Sequence, residues 1–165
     1  MIDSRRLKDL LHRMIDIYSP SRKETDLLET LGTYLRHAGA YPRTQPVDEN
    51  RYNLIVLPEP PASEIQLALI GHVDTVSAYD IEDYGFRLTG DTVRGLGAAD
   101  MKSGCAAMIE AFLAYQQERG FQAPVGLCLV VGEEENGDGA ERLIADYHFP
   151  WAVVGEPTDL VPCLS

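Results

Sequence analysis

The run Val125-Gly126-Leu127-Cys128-Leu129-Val130-Val131 constrains the fold more than any other part of the chain. It is apolar almost without a break and stops at Gly132, so it has no polar face to turn toward water. A strand of that kind belongs inside a sheet covered on both faces. Leu67 to Ile70 and Trp151 to Val154 read as two more buried strands. Tyr52 to Leu57 reads as another, closed by the Pro58-Glu59-Pro60-Pro61 loop. Phe86-Arg87-Leu88 and Thr92-Val93-Arg94 alternate about Gly90-Asp91, which predicts a short hairpin.

Between these strands the periodicity changes to that of helices. Leu7, Leu10, Leu11, Met14 and Ile15 mark an amphipathic helix that ends near Ser19-Pro20. Ser21 and Glu24 fit a capping box for a second helix, whose stripe Leu27, Leu28, Leu31 and Leu35 runs toward Gly39. The glycine-rich loop Gly95 to Gly104 opens an alanine-rich helix that reaches Arg119, with Gly120 as its C-cap. Gly139 to Tyr147 reads as a short helix. Strands alternating with helices predict an α/β domain of three layers with a mixed, largely parallel central sheet.

The 165 residues suffice for one such domain with a real core. A formal net charge of −12 argues against a nucleic-acid partner, which would require clustered Lys and Arg. Cys105, Cys128 and Cys163 are odd in number and contain no CxxC pair, so free thiols in a reducing compartment are expected. Neither a signal-peptide core nor a membrane-length apolar run is visible, and the expected location is cytoplasmic. The glycine-rich loop has neither the GxGxxG nor the Walker spacing, which disfavours a nucleotide site.

The remaining acidity is concentrated beside glycines. His72 and Asp74 end one apolar strand, Glu133-Glu134-Glu135 follow another, and Glu156 follows a third. Asp100 lies in the glycine-rich loop. Singly, each has an ordinary explanation as a cap, a solvated loop or a turn. Jointly, they would meet at one edge of the sheet, where carboxylates repel one another unless a cation neutralises them. One imidazole among several carboxylates suits Zn²⁺ with an open coordination position, with Co²⁺ or Mn²⁺ also accepted.

Four ordered motifs carry a resemblance from the N-terminal helices to Pro157. They are Gly71-His-Val-Asp-Thr-Val76, Gly95-Leu-Gly-Ala-Ala-Asp-Met-Lys-Ser-Gly104, Gly132-Glu-Glu-Glu-Asn-Gly137 and Val154-Gly-Glu-Pro-Thr158. With them the chain resembles the M20 family of zinc-dependent peptidases and deacylases. The resemblance implies that His72 and Glu156 bind a first metal, that Asp74 orients His72, and that Asp100 bridges to a second metal. It also implies a cis peptide after Asp100, Glu134 as general base and Glu135 as ligand of the second metal. A one-residue slip within the Glu triplet would exchange those last roles. The reaction implied is hydrolysis of an amide in an N-acyl amino acid or small peptide by metal-activated water.

Members of the family are longer than this chain. After the Gly-Glu-Pro motif they insert a lid and dimerisation domain, then return with a segment carrying a late His ligand. Residues 1–165 are therefore expected to be the N-terminal part of a catalytic domain, incomplete without lid and return segment. His12 and His37 lie on predicted helices and His148 lies away from the motifs, so none is expected to replace that His. The isolated chain is expected to turn over poorly and to leave part of its sheet exposed. It would then self-associate or pair with a complementing C-terminal half. The alternative is a non-catalytic metal-binding or interaction fragment that pairs with another polypeptide.

Overall fold

The computed structural model describes residues 3–58, 65–159 and 161–163. Part of the Pro58–Pro61 loop expectation, from Glu59 onward, lies outside the described residues. The helices are α1 (Ser4–Asp16), α2 (Thr25–His37), α3 (Ser103–Arg119) and α4 (Asp138–Asp146). The strands are β1 (Arg43–Pro46), β2 (Tyr52–Val56), β3 (Leu67–His72), β4 (Arg87–Thr89), β5 (Thr92–Arg94), β6 (Val125–Val130) and β7 (Trp151–Val154).

Among the described residues five strands form one sheet in the order β1-β2-β6-β3-β7. β6 takes its middle, as expected for a strand without a polar face. The sheet is mixed: β1 with β2 and β2 with β6 are antiparallel, whereas β3 is parallel to both β6 and β7. Alternate residues supply two cores. Leu54, Val56, Leu127 and Leu129 pack with Leu10 and Met14 of α1, Leu27 and Leu31 of α2, and Ile109 and Phe112 of α3. Ile55, Cys128 and Val130 pack on the other side with Leu143 of α4. Helices thus cover both faces, and the expected three layers form. Truncating Leu127 or Leu129 to Ala would cost about 2–5 kcal/mol. β4 and β5 form the separate antiparallel hairpin.

Local chemistry explains most helix boundaries. The Asp3 side chain accepts the Arg5 and Arg6 backbone N–H groups at 2.9 and 3.4 Å and starts α1. Gly120 ends α3 with φ +82°, a backbone that a side chain would oppose. Two expectations fail. The capping box does not form, because α2 begins at Thr25 without a side-chain cap and the Ser21 hydroxyl is bound to a buried carboxylate instead. β7 is not buried: it is an outer strand, with Trp151 74% and Val154 53% exposed. An apolar run on an outer strand looks the same in sequence as one in the core. Among the described residues no helix is long and apolar enough to cross a membrane. Cys105 and Cys128 are buried and free, and Cys163 is exposed and free.

Candidate metal centre

The parallel alignment of β6, β3 and β7 puts three strand ends side by side, and each delivers acidic or imidazole groups to the same edge. His72 is the last residue of β3 and its side chain is buried. Its backbone is held by Met101 Sδ, which accepts the His72 N–H at 3.3 Å, and by the Cys105 thiol donating to its carbonyl at 3.1 Å. The helix carrying Cys105 comes this close because residue 71 is glycine. A Cβ there would stand 2.7 Å from Cys105 Sγ and 2.8 Å from two methionine methyls.

The two ring nitrogens of His72 face different groups. Nδ1 lies 3.0 Å from the Asp74 carbonyl and 3.4 Å from Asp74 Oδ1. Nε2 lies 3.1 Å from Asp100 Oδ1, 3.7 Å from Glu133 Oε2 and 3.8 Å from Glu156 Oε1. Burial disfavours the imidazolium, but Asp74, Asp100 and Glu156 outweigh it, and the pKa of His72 rises to about 9.

Asp74 is wholly buried and nevertheless ionises more readily than usual. Burial pushes its pKa up, but His72, Ser21 and the Glu134 backbone N–H bring it below the ordinary value. Its Oδ2 accepts from Ser21 Oγ at 2.7 Å and from the Glu134 N–H at 3.1 Å, and its Oδ1 accepts from the Glu133 N–H at 3.1 Å. The residue expected to orient His72 therefore also fixes the acidic loop after β6.

Asp100 lies in the irregular helical turn Ala98–Lys102, with φ −119° and ψ 104°, and its peptide bond to Met101 is cis, as the resemblance implies. The buried Lys102 ties this turn to the end of α1, its ammonium donating to the Met14 and Ile17 carbonyls at 2.8 and 3.0 Å. Burial pushes Lys102 down to about 8.

Glu134 and Glu156 have raised pKa values. Burial leads in both cases, and the charge of Asp100 adds to it. The cleft beside Glu156, about 430 Å³, is lined by small residues including Ala99, Ser103, Gly104 and Gly155. α3 crosses the end of β7 so closely that a Cβ on Gly104 would collide with the Gly155 carbonyl.

His72, Asp100 and Glu156 each offer a ligand atom, and these atoms lie within 4.8 Å of one another. An imidazole with one nitrogen oriented by carboxylate and carbonyl, and the other facing carboxylates, is a donor set that fits a divalent cation. Glu135 is not drawn into this cluster; its Oε2 pairs with Arg22 Nε at 2.9 Å. Glu133, for which no ligand role was expected, stands nearer to His72. His12 pairs with Asp16 at 3.0 Å and stacks on Phe86, and His148 is exposed.

Two supporting residues escaped the sequence analysis. Asn53 is buried in β2; it donates to the Gly139 carbonyl at 2.8 Å and accepts the Val131 N–H at 3.2 Å. It thereby closes the neck of the loop that bears the three glutamates. Arg51 holds the same loop through Asp138 and reaches Asp48 at 2.7 Å. A polar residue inside the apolar sequence Tyr52-Asn53-Leu54-Ile55-Val56 was the available signal for Asn53.

The sequence profile of Peptidase family M20/M25/M40 matches residues 68–164, which include every acidic motif described above. The chain belongs to this family. Among M20 relatives it is 32% identical over 170 residues to a "Probable carboxypeptidase" of Ajellomyces capsulatus, covering 91% of this chain and 38% of that protein. It is 30% identical over 159 residues to a "Probable succinyl-diaminopimelate desuccinylase" of Staphylococcus epidermidis, covering 90% of this chain and 38% of that one. The chain thus spans well under half the length of these relatives. The M20 fold is shared with a tripeptidase of Staphylococcus aureus (TM-score 0.74, 24% identity, 93% of this chain and 43% of that chain). It is also shared with an M20 family metallo-carboxypeptidase of Sulfolobus solfataricus (TM-score 0.70, 16% identity, 93% and 37%).

Proposed function

We propose that this chain is the metal-holding N-terminal part of an M20 amide hydrolase acting on N-acyl amino acids or small peptides. One observation carries the reading. Three carboxylates surround Nε2 of His72, while Asp74 holds the opposite side of the ring. His72, Asp100 and Glu156 would hold a divalent cation, zinc by the nature of the donors; for Glu135 to join Asp100 at a second cation it would have to leave Arg22. Such a cation, when bound, supplies Lewis acidity toward a water and an amide carbonyl.

The rest belongs to the chain's own side chains. Glu134 has a pKa above the usual carboxylate value, which suits a group that takes a proton from water and returns it to the leaving amine. Asp74 keeps the His72 ring in one orientation and, through the Glu134 N–H, keeps the base near it. The second reading, a metal-binding fragment that pairs with another polypeptide, is favoured by the bare apolar side chains of β7.

Zinc titration with amide-hydrolysis assays on acetylated, succinylated and dipeptide substrates tests both readings. His72→Ala and Asp100→Ala are expected to weaken zinc binding by more than about 100-fold, because each removes a ligand. Glu134→Gln is expected to bind zinc nearly as the parent does and to lose about 10²–10⁴-fold in turnover. Unchanged zinc affinity in Asp100→Ala would remove Asp100 from the site. Turnover in the parent chain that Glu134→Gln removes excludes the second reading, whereas zinc binding without turnover agrees with both.

A further inference from the structure

We propose that Ser21 is a positioning residue of the metal centre, acting on His72 and on the acidic loop through Asp74. The inference rests on the reading of this site as a metal centre. Ser21 lies far from that site in sequence, in the connection between α1 and α2, and the sequence suggested only a helix-capping role for it.

Pro20 and Thr75 form an isolated parallel bridge that ties the connection between α1 and α2 to the segment after β3. The Thr75 N–H donates to the Ser19 carbonyl at 3.0 Å and the Ser21 N–H to the Thr75 carbonyl at 3.2 Å. Ser19 Oγ donates to the Val73 carbonyl at 2.9 Å. The segment then turns sharply, with the Lys23 N–H on the Pro20 carbonyl at 2.8 Å and Arg22 at φ +75°. That left-handed residue lets the chain enter α2 while the Ser21 side chain stays on Asp74.

The 2.7 Å bond from Ser21 Oγ is the shortest that Asp74 receives, and it comes from a side chain that can be changed alone. The other donors to Asp74 are the Glu133 and Glu134 backbone N–H groups, which belong to the loop being positioned. Ser21 is therefore the one fixed outside support that the described residues give this carboxylate besides His72. Without the hydroxyl, Oδ2 retains the Glu134 N–H alone, and the carboxylate can rotate away from His72 Nδ1. Partners of this kind tune metal affinity because they set the direction of the ligand's lone pair.

The test compares Ser21→Ala, Ser21→Thr, Ser19→Ala and His72→Ala by competition of each protein with a chromophoric chelator for Zn²⁺. The absorption spectrum of the Co²⁺ form and thermal melting of each metal-free protein are recorded alongside. Ser21→Ala is expected to lose about tenfold in zinc affinity, at the low end of the range for groups behind a ligand. Its Co²⁺ spectrum should shift, and Ser21→Thr should restore both. Ser19→Ala removes a neighbouring bond that does not touch Asp74, so it is expected to lower the melting temperature while holding zinc affinity within about twofold.

Equal zinc affinity in Ser21→Ala and the parent, with His72→Ala inactive in binding, overturns the proposal and leaves the metal centre standing. Equal losses in Ser21→Ala and Ser19→Ala also overturn it, because general loosening of the segment then explains the effect. If His72→Ala binds zinc as the parent does, the metal-centre reading falls and this proposal with it.

Discussion

Lys102 shows how much a single residue can be asked to do beside this site. Its side chain is wholly buried, its ammonium satisfies two carbonyls at the end of α1, and two residues before it stands Asp100. Burial lowers its pKa from 10.5 to about 8. As pH falls from about 10.5 the unfolded chain takes up this proton before the folded one, so stability is lost until pH reaches about 8 and is constant below. The metal-free parent should therefore gain stability over Lys102→Met as pH rises from 8 to 10.5. Urea unfolding of both proteins at the two ends of that window measures the change. A gap independent of pH would mean that Lys102 is solvated in the fold. Ser21 carries the same lesson in another form. A small hydroxyl shortly before a helix can cap it or turn back to a charged acceptor, and the sequence offers no means of choosing. The glutamate triplet is similar, since three adjacent identical side chains in a loop have no period that says which one faces His72.

The connections between elements hold the centre as firmly as the elements themselves. β3, β6 and β7 were readable as apolar runs, and their parallel alignment made the convergence of His72, the Glu loop and Glu156 foreseeable. The clamps on the connecting loops were not. Asn53 reaches from β2 to both ends of the Gly132–Asp138 loop, and its amide also donates to Gln45 Oε1 at 2.9 Å. Asn53→Leu would take the partner from the buried Val131 N–H and from Gln45 Oε1, at about 1–3 kcal/mol each. The variant should unfold at lower denaturant concentration, and hydrogen exchange should quicken first in residues 132–138. Unchanged exchange in that loop would show that Arg51 and Asp138 suffice to hold it. Gly104 works in the opposite sense, by having no side chain where α3 meets the Gly155 carbonyl. The glycine was visible in its motif, but the close approach that requires it was not.

At the scale of the whole molecule the two sides of the sheet are finished differently. α1, α2 and α3 enclose a large core on one side, while α4 covers a smaller one on the other. β7 lies beyond that cover, with Trp151, Val153 and Val154 exposed and Ile144 of α4 exposed as well. An outer strand with bare apolar side chains invites association. Sedimentation at rising protein concentration should show reversible self-association that Val153→Lys reduces, with zinc affinity unchanged because β7 keeps its backbone pairing to β3. A monomer at every concentration would argue that these side chains are innocuous.

The position of β6 has one more consequence, which concerns time rather than space. During synthesis β2 and β3 emerge long before the strand that separates them, and neither pairs with the other in the finished sheet. A nascent chain that has reached α3 therefore holds two open ladders waiting for a partner still inside the ribosome. Every sheet contact that joins the first third of the molecule to the last must wait for Val125–Val130 to slot between them. The keystone is laid late, and until then the arch on either side must be kept from closing on the wrong neighbour.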